Sequence, residues 1–186
     1  MIPIIAFGGA SQTGKTTLGR RLAAYCHCKF VSFGDFVRQK ARNGGLSKPT
    51  REDLQNLGQQ LVKSDVNRFC QEALDTVQFS SGERLVVDGI RHPEALGAIS
   101  EISGGQPIKL IYLYAPMKIR EARSQRHDGP QALRAIDAHP VESQAAEIRD
   151  SADFLLDAGA DLDTNFSQIL GWLNLACPEL LTAPSS

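Results

Sequence analysis

The segment "IPIIAFGGASQTGKTT", residues Ile2–Thr17, joins an apolar run to a polar, glycine-rich one. It opens with an apolar run rich in β-branched side chains, which is typical of a buried parallel strand. Two glycines, several polar residues and a lysine follow, and the next segment, "LGRRLAAY", places Leu18, Leu22 and Tyr25 on one helical face. A strand, a glycine-rich loop and a helix in this order predict a loop that holds phosphate.

The loop fits the pattern G-x4-G-K-[ST], and each part of that pattern has a physical reason. Glycines permit backbone conformations in which successive N–H groups converge on one anion, and the helix beginning near Lys15 adds its positive end. We expect Lys15 to bridge the β- and γ-phosphates of ATP, and Thr16 to offer its hydroxyl to Mg²⁺. The predicted nucleotide-binding residues are Gly9, Ala10, Ser11, Gln12, Thr13, Gly14, Lys15, Thr16 and Thr17.

Length and composition indicate one globular domain. The chain has 186 residues, so we expect a single domain over residues 1–176 and a flexible tail over 177–186. The formal net charge of -1 disfavours a general nucleic-acid binder, and the first apolar run is too short to span a bilayer. Four cysteines without a second metal-ligand pair read as free thiols. We therefore expect a cytoplasmic monomer or homodimer with no nucleic-acid or membrane partner.

Strand-like segments alternate with helix-like segments along the chain, which predicts helices on both faces of a parallel sheet. The expected fold class is α/β, a three-layer α/β/α domain with a five-stranded parallel sheet. The segment of about residues 34–79 is predicted to be helical and to bind the acceptor. Thr50 and Asp53 have the spacing of a capping box that opens one of its helices.

Charged residues follow two of the apolar runs. Asp35 and Arg38 come just after the second predicted strand, and Asp88 and Arg91 just after the third. In an open α/β sheet the carboxyl ends of the strands line the ligand crevice. Two planar guanidinium groups there would suit a second, smaller phosphate, so Asp35, Arg38 and Arg91 are the predicted acceptor-binding residues. Asp88 is predicted to hold a water bound to Mg²⁺.

A further run, "RxxRxxR", places Arg120, Arg123 and Arg126 before the helix-breaking "HDGP". We expect Arg120 to lie on a solvated helix face. Arg123 and Arg126 adjoin the helix break, so we expect them to open a short lid over about residues 123–139. Such a lid would bring positive charge to the transferring group and exclude water from it.

With these elements together, the sequence resembles the nucleoside-monophosphate-kinase-like group of P-loop proteins. Adenylate kinases carry a P-loop, G-D-x-x-R after the second strand, D-G-[FY]-P-R after the third, and arginines that flank a lid. The corresponding stretches here are "GGASQTGKT", "GDFVR", "DGIRHPE" and "REARSQR". The resemblance is closer to archaeal P-loop proteins described as dephospho-CoA-kinase-like or adenylate-kinase-related, through "VVDGIR" and "ADFLLD", and it covers about residues 2–175.

The resemblance implies ATP and Mg²⁺ as cofactors and a nucleotide-like acceptor. Arg38 and Arg91 would hold the acceptor phosphate, and a region that often supplies another arginine matches Arg149. The catalytic residues implied are Lys15, Asp88, Arg91, Arg123 and Arg126.

Three departures from the adenylate kinase pattern leave the substrates open. Ile90 and His92 differ from it, so the acceptor need not be AMP, and Asp157 stands where relatives have asparagine, near the donor base. The leading expectation is transfer of the γ-phosphoryl group to a (deoxy)nucleoside monophosphate. The alternatives are a hydroxyl-directed kinase acting on dephospho-CoA or a nucleoside, with Asp35 as a base, and a non-catalytic ATP-binding switch.

Overall fold

The computed structural model describes residues 1–124, 133–134, 137–139 and 147–182. Within these ranges, five parallel strands form a sheet with the order β2-β3-β1-β4-β5. The strands are β1 (Ile4–Gly9), β2 (Lys29–Ser32), β3 (Leu85–Ile90), β4 (Ile108–Tyr114) and β5 (Phe154–Asp157). The predicted α/β fold with a five-stranded parallel sheet is confirmed.

Helices cover both faces of this sheet. They are α1 (Lys15–Tyr25), α2 (Phe33–Asn43), α3 (Arg51–Ser64), α4 (Val66–Asp75), α5 (Glu94–Ile102), α6 (Met117–Ser124) and α7 (Leu162–Ala176). Short 3-10 helices span Ile148–Ser151 and Pro178–Leu180. In the described part of the chain, no helix combines the length and the apolar character needed to cross a membrane.

The central strand β1 is buried on both of its faces, as its continuous apolar sequence predicts. Ile4 and Ala6 point into a core shared with side chains of α2 to α5. Ile5 and Phe7 point the other way, into a core shared with side chains of α1 and α7. Because successive side chains of a strand alternate between faces, one short strand joins the two cores and fixes the position of the loop that follows it.

The loop after β1 leaves the middle of the sheet between the ends of β3 and β4. β1 pairs with β3 on one side and with β4 on the other, and Gly9 lies opposite Leu113. A Cβ atom on Gly9 would lie 2.1 Å from the carbonyl oxygen of Leu113, and the φ angle of Gly9 is 123°. Glycine is therefore required here both by space and by backbone conformation.

Local capping sets where α2 and α3 begin. The side chain of Ser32 accepts a hydrogen bond from the backbone N–H of Asp35 at the start of α2. The predicted capping box of α3 is confirmed, because Thr50 and Asp53 each accept from the other's backbone N–H. Asp35 and Arg51 thereby lie in the first turns of their helices, so the backbone position of each side chain is fixed.

The predicted lid falls largely outside the described residues. The helix expected to run to Arg126 is described as far as Ser124, and Arg126 itself lies outside the described ranges. The chain is described again from residue 147, and Ile148–Ser151 form a 3-10 helix. The lid therefore stays a prediction.

The start of the expected flexible tail is corrected by the structure. Cys177 and Leu180 are buried, and both belong to the core on the α1 side of the sheet. Arg84 donates hydrogen bonds to the carbonyl oxygens of Leu180 and Thr182, at 3.1 and 2.8 Å. Residues 177–182 thus pack against the domain, because two of their carbonyl groups accept hydrogen bonds from Arg84. This donor is distant in the sequence, so the local sequence does not indicate it.

We predict that Gly9→Ala lowers the free energy of unfolding by more than about 2 kcal/mol, because the new Cβ would overlap the backbone of Leu113 at a positive φ. Gly97→Ala is the matched control. Gly97 lies inside α5, and a Cβ atom added there would meet no other atom within 4 Å, so alanine should raise stability by about 0.5–1 kcal/mol. Urea denaturation of both variants is the measurement. A loss under about 0.5 kcal/mol for Gly9→Ala would contradict the claimed close approach.

Candidate active site

The loop between β1 and α1 has the backbone of an anion cradle. Gly9, Gln12 and Gly14 have φ angles of 123°, 62° and 90°, and Gly14 is the left-handed residue that precedes α1. The hydroxyl of Thr13 donates to the carbonyl oxygen of Ala10 at 2.9 Å, which ties the loop across its base. These turns direct the loop around the N-terminus of α1, where unpaired helix N–H groups attract an anion.

Lys15 is the first residue of α1, and its side chain is buried beneath the loop. Its Nζ atom donates hydrogen bonds to the carbonyl oxygen of Ala10 and to Oγ1 of Thr13. The pKa of Lys15 is lowered from 10.5 to about 7, first by burial and then by the nearby charges of Arg91, Arg51 and Arg120, while Asp88 acts in the opposite direction. The charged form of Lys15 is therefore disfavoured in this environment, and a bound anion would stabilise it.

Thr16 and Asp88 meet at the end of β3. The Thr16 hydroxyl donates to Oδ2 of Asp88 at 2.7 Å, and Asp88 is only 2% exposed. Its other oxygen, Oδ1, is buried and has no hydrogen-bond partner among the described residues. A buried carboxylate oxygen with unused acceptor capacity beside a threonine hydroxyl suits Mg²⁺ and its bound water. The two residues predicted to hold the metal are therefore brought together in a geometry that fits it.

Asp35 and Arg38 lie side by side at the start of α2. Arg38 donates to Oδ1 of Asp35, and Arg20 from α1 donates to Oδ2 at 2.8 Å. Each carboxylate oxygen thus accepts from a guanidinium group. Arg38 and Lys15 also line one cavity, which lies over the loop between β1 and α1. The predicted acceptor arginine therefore lies at the edge of this crevice.

Arg91 extends from the end of β3 to the loop between β1 and α1, residues 10–14, which we call the phosphate loop. Its Nη2 atom lies 3.5 Å from the hydroxyl of Ser11. Arg51, at the start of α3, places its own Nη2 atom 3.3 Å from the same hydroxyl. Burial lowers the pKa of Arg91 to about 10, and Arg51 contributes to that shift. Two arginines from distant parts of the sequence thus converge on one buried hydroxyl of the loop.

Arg120 corrects an expectation from the sequence. The solvated helix face predicted for it is wrong, because Arg120 is only 7% exposed. Its Nη1 atom donates to the carbonyl oxygen of Ser11 at 3.3 Å, and its guanidinium group pairs with Asp137 at 3.0 and 2.6 Å. α6 packs with this residue against the phosphate loop, so the first arginine of the run faces inward.

Arg123 and Arg149 have partners outside the phosphate loop. Arg123 donates to the carbonyl oxygens of Ala158 and Ala160, in the loop after β5, at 2.7 and 3.2 Å. Arg149 stacks over the ring of Tyr114 at 5.5 Å. The structure therefore brings Lys15, Thr16, Asp88, Arg38 and Arg91 to one crevice, while Arg123 contacts the end of the sheet beside it.

Two cavities meet in this crevice. The first, of about 490 Å³, lies over the phosphate loop, with Lys15, Thr16 and Asp88 in its wall. The second, of about 100 Å³, lies between α2, α3 and the end of β3 and has a mainly apolar wall. Five residues line both cavities: Gly34, Arg38, Arg51, Gly89 and Arg91. A cationic boundary thus separates a polar compartment from an apolar one.

Two cations of this crevice, Arg51 and Arg120, were missed from the sequence. Arg51 follows Thr50 directly, so the predicted capping box already placed Arg51 at the first position of a helix. Arg120 shares a helical run with Arg123, but which of the two faces inward depends on how α6 packs against the loop. Spacing alone does not contain that information.

Comparison with known proteins agrees with this architecture. Residues 5–150 match the family described as an AAA domain. A UPF0200 protein from Pyrobaculum aerophilum is 29% identical over 164 residues, which span 84% of this chain and 87% of that protein. A cytidylate kinase from Desulfurococcus amylolyticus is 28% identical over 134 residues, which span 71% of this chain and 64% of that protein.

Solved structures show the same fold at low sequence identity. A shikimate kinase from Acinetobacter baumannii, in complex with shikimate, has a TM-score of 0.59 at 17% identity and covers 98% of this chain and 97% of its own. A gluconokinase from Sinorhizobium meliloti has a TM-score of 0.53 at 16% identity and covers 96% and 95%. The resemblance to P-loop kinase-like proteins is confirmed, and the match over residues 5–150 shows that the chain belongs to the AAA-domain family.

Proposed function

We propose that the protein is an ATP-dependent phosphotransferase that moves the γ-phosphoryl group of Mg-ATP to a nucleotide-like acceptor, with a (deoxy)nucleoside monophosphate as the favoured class. The observation that carries this proposal is the second cavity, which adjoins the phosphate-loop cavity and shares Arg38, Arg51 and Arg91 with it. A switch that answers to ATP has no need of such a compartment. The relative described as a cytidylate kinase supports the same class.

The donor phosphates would lie on the loop and against Lys15. The loop N–H groups and the start of α1 hold the phosphate oxygens, and Lys15 turns from the carbonyl of Ala10 to the more negative β- and γ-oxygens. When bound, Mg²⁺ would neutralise negative charge on those phosphates. Thr16 and Asp88 would hold it, the hydroxyl directly and the carboxylate through water.

The acceptor phosphate would lie between Arg38 and Arg91. Guanidinium groups bind phosphate through two parallel N–H donors, so this pair fixes the direction from which the acceptor oxygen approaches. A phosphate acceptor is already anionic, so its attack on the γ-phosphorus needs no base. This agrees with Asp35, whose carboxylate oxygens each accept from an arginine.

A hydroxyl-directed kinase is the second candidate, because Asp35 does line the phosphate-loop cavity. A hydroxyl acceptor would require Asp35 to exchange one of its arginine contacts for the substrate proton. The two candidates are separated by a screen with labelled ATP. Nucleoside monophosphates, nucleosides and dephospho-CoA are offered in parallel, and the labelled product is identified.

In that screen we expect labelled nucleoside diphosphate from at least one monophosphate. Lys15→Ala should lower the rate of transfer by about 10²–10³ or more, because it removes the cation beside the oxygens where negative charge gathers. Lys63→Ala, which removes an exposed lysine of α3, is the control and should transfer at the wild-type rate. Lys15→Ala activity within about threefold of wild type would contradict the role of the loop. Label in a nucleoside or in dephospho-CoA alone would favour the hydroxyl candidate.

Binding of ATP should also take up a proton at Lys15. The pKa of this group is lowered to about 7, so at about pH 8 most of the folded protein without nucleotide carries neutral Lys15. The triphosphate raises that pKa again, and we expect an uptake of roughly one proton per ATP at about pH 8. Calorimetric titration in buffers of different ionisation enthalpy measures it. Binding with no proton uptake at that pH would show that Lys15 is already charged.

The same shift predicts the direction of a pH dependence of stability. Between about pH 7 and pH 10.5 the unfolded chain holds a proton on Lys15 that the folded protein has released. The contribution of Lys15 therefore makes the free energy of unfolding rise as the pH is raised through this window. Lys15→Ala should remove that part of the pH dependence, which denaturation at several pH values can measure with Lys63→Ala as the control.

A further inference from the structure

Arg51 begins the acceptor-side helix α3 at a fixed place. The capping box of Thr50 and Asp53 sets the first turn, with hydrogen bonds of 2.8 and 3.1 Å. From there, Arg51 spans the crevice to the hydroxyl of Ser11, 40 residues away in the sequence. A cation in the first turn opposes the positive end of the helix dipole, so helix stability does not explain an arginine at this position.

Positive charge accumulates around this contact. Arg91 donates to the same Ser11 hydroxyl, and Arg51 is among the groups that lower the pKa values of both Lys15 and Arg91, after burial itself. Asp88 and Asp137 supply negative charge nearby, the first beside Thr16 and the second against Arg120. Like charges held together in a partly buried crevice repel each other, and a bound anion between them would relieve that repulsion.

The face of α3 that carries Arg51 continues into the apolar cavity. Arg51, Leu54, Gly58 and Val62 recur at spacings of three and four residues, so they lie on one helical face, and all of them line that cavity. The charged end of this face is at the phosphate loop, and the apolar end lies away from it. A ligand along α3 would therefore place an anionic group at Ser11 and a less polar body toward Val62.

We propose that Arg51 is an acceptor-binding residue, which together with Arg91 holds the anionic group of the acceptor on the side facing the donor phosphates. This inference rests on the proposed function, since it assumes that an acceptor occupies the second cavity. It also gives the acceptor an orientation, with its anionic group at Arg51 and Arg91 and its body along α3. The acceptor class is then an anion attached to a body of low polarity, and the apolar wall would reject a small, fully hydrated sugar acid.

The test uses inorganic phosphate as the probe, because the proposal concerns the anionic group and not the rest of the acceptor. The protein is first saturated with Mg²⁺ and β,γ-imido-ATP, which occupies the donor side and cannot be hydrolysed readily. Phosphate affinity is then measured for wild type, Arg51→Ala, Arg51→Lys and the control Lys63→Ala. Affinity for the ATP analogue and the unfolding temperature are measured for each protein.

We expect Arg51→Ala to weaken phosphate binding about tenfold or more, the usual effect of losing a charge-assisted contact, and to change the affinity for the ATP analogue by less than about twofold. Arg51→Lys should recover part of the loss, because it restores the charge without the planar pair of donors. Lys63→Ala should match wild type. All four proteins should unfold at similar temperatures, because Arg51 is exposed in the first turn of α3.

Unchanged phosphate binding in Arg51→Ala would overturn the inference. If transfer in the labelled-ATP screen were normal at the same time, the proposed function would stand without it. Equal loss of phosphate and of the ATP analogue would assign Arg51 to the donor side and also overturn the inference. Absence of phosphate binding by wild type, with the analogue bound, would remove the acceptor site itself and with it both proposals.

Discussion

Several positive charges are held together in a partly buried crevice, and the proposed function depends on them. Lys15 lies under the phosphate loop, Arg91 and Arg51 reach the hydroxyl of Ser11, and Arg120 reaches the carbonyl of the same residue. The depressed pKa of Lys15 expresses the cost of this arrangement, and its first cause is burial. The side chains stay close together because the segments that carry them are fixed. Strand pairing fixes the loop and the end of β3, and a capping box fixes the start of α3.

The part of the site that follows from local chemistry could be predicted from the sequence. The strand, the loop and α1 follow from an apolar run, glycines at positive φ and helical periodicity, and the predicted start of α1 at Lys15 is the observed one. The pairing of Thr16 with Asp88 follows from the rule that the carboxyl ends of parallel strands share an edge. Each of these inferences needs only a short segment and one general rule.

The remaining features depend on contacts between distant segments. Whether Arg120 faces water or the loop is decided by how α6 lies on the sheet, and the sequence spacing allows either. The contact of Arg51 with Ser11 depends on the tilt of α3 across the crevice, and the packing of residues 177–182 depends on Arg84, which directly precedes β3. A single sequence provides no distances between such segments, so periodicity could not select among these arrangements.

The fold itself leaves the acceptor open, since the solved structures that share it include a shikimate kinase and a gluconokinase. Within this chain, the choice of acceptor would be set by the apolar cavity wall between α2 and α3 and by the arginines at the edge of that cavity. The proposed function requires a donor site and an acceptor site side by side in one crevice. The most direct test is the affinity of two nucleosides joined by five phosphates, compared with the affinity of ATP, by calorimetric titration. We expect one molecule of this analogue to bind per chain at least about 100-fold more tightly than ATP, because it fills both sites at once. Equal affinity for the analogue and ATP would contradict it.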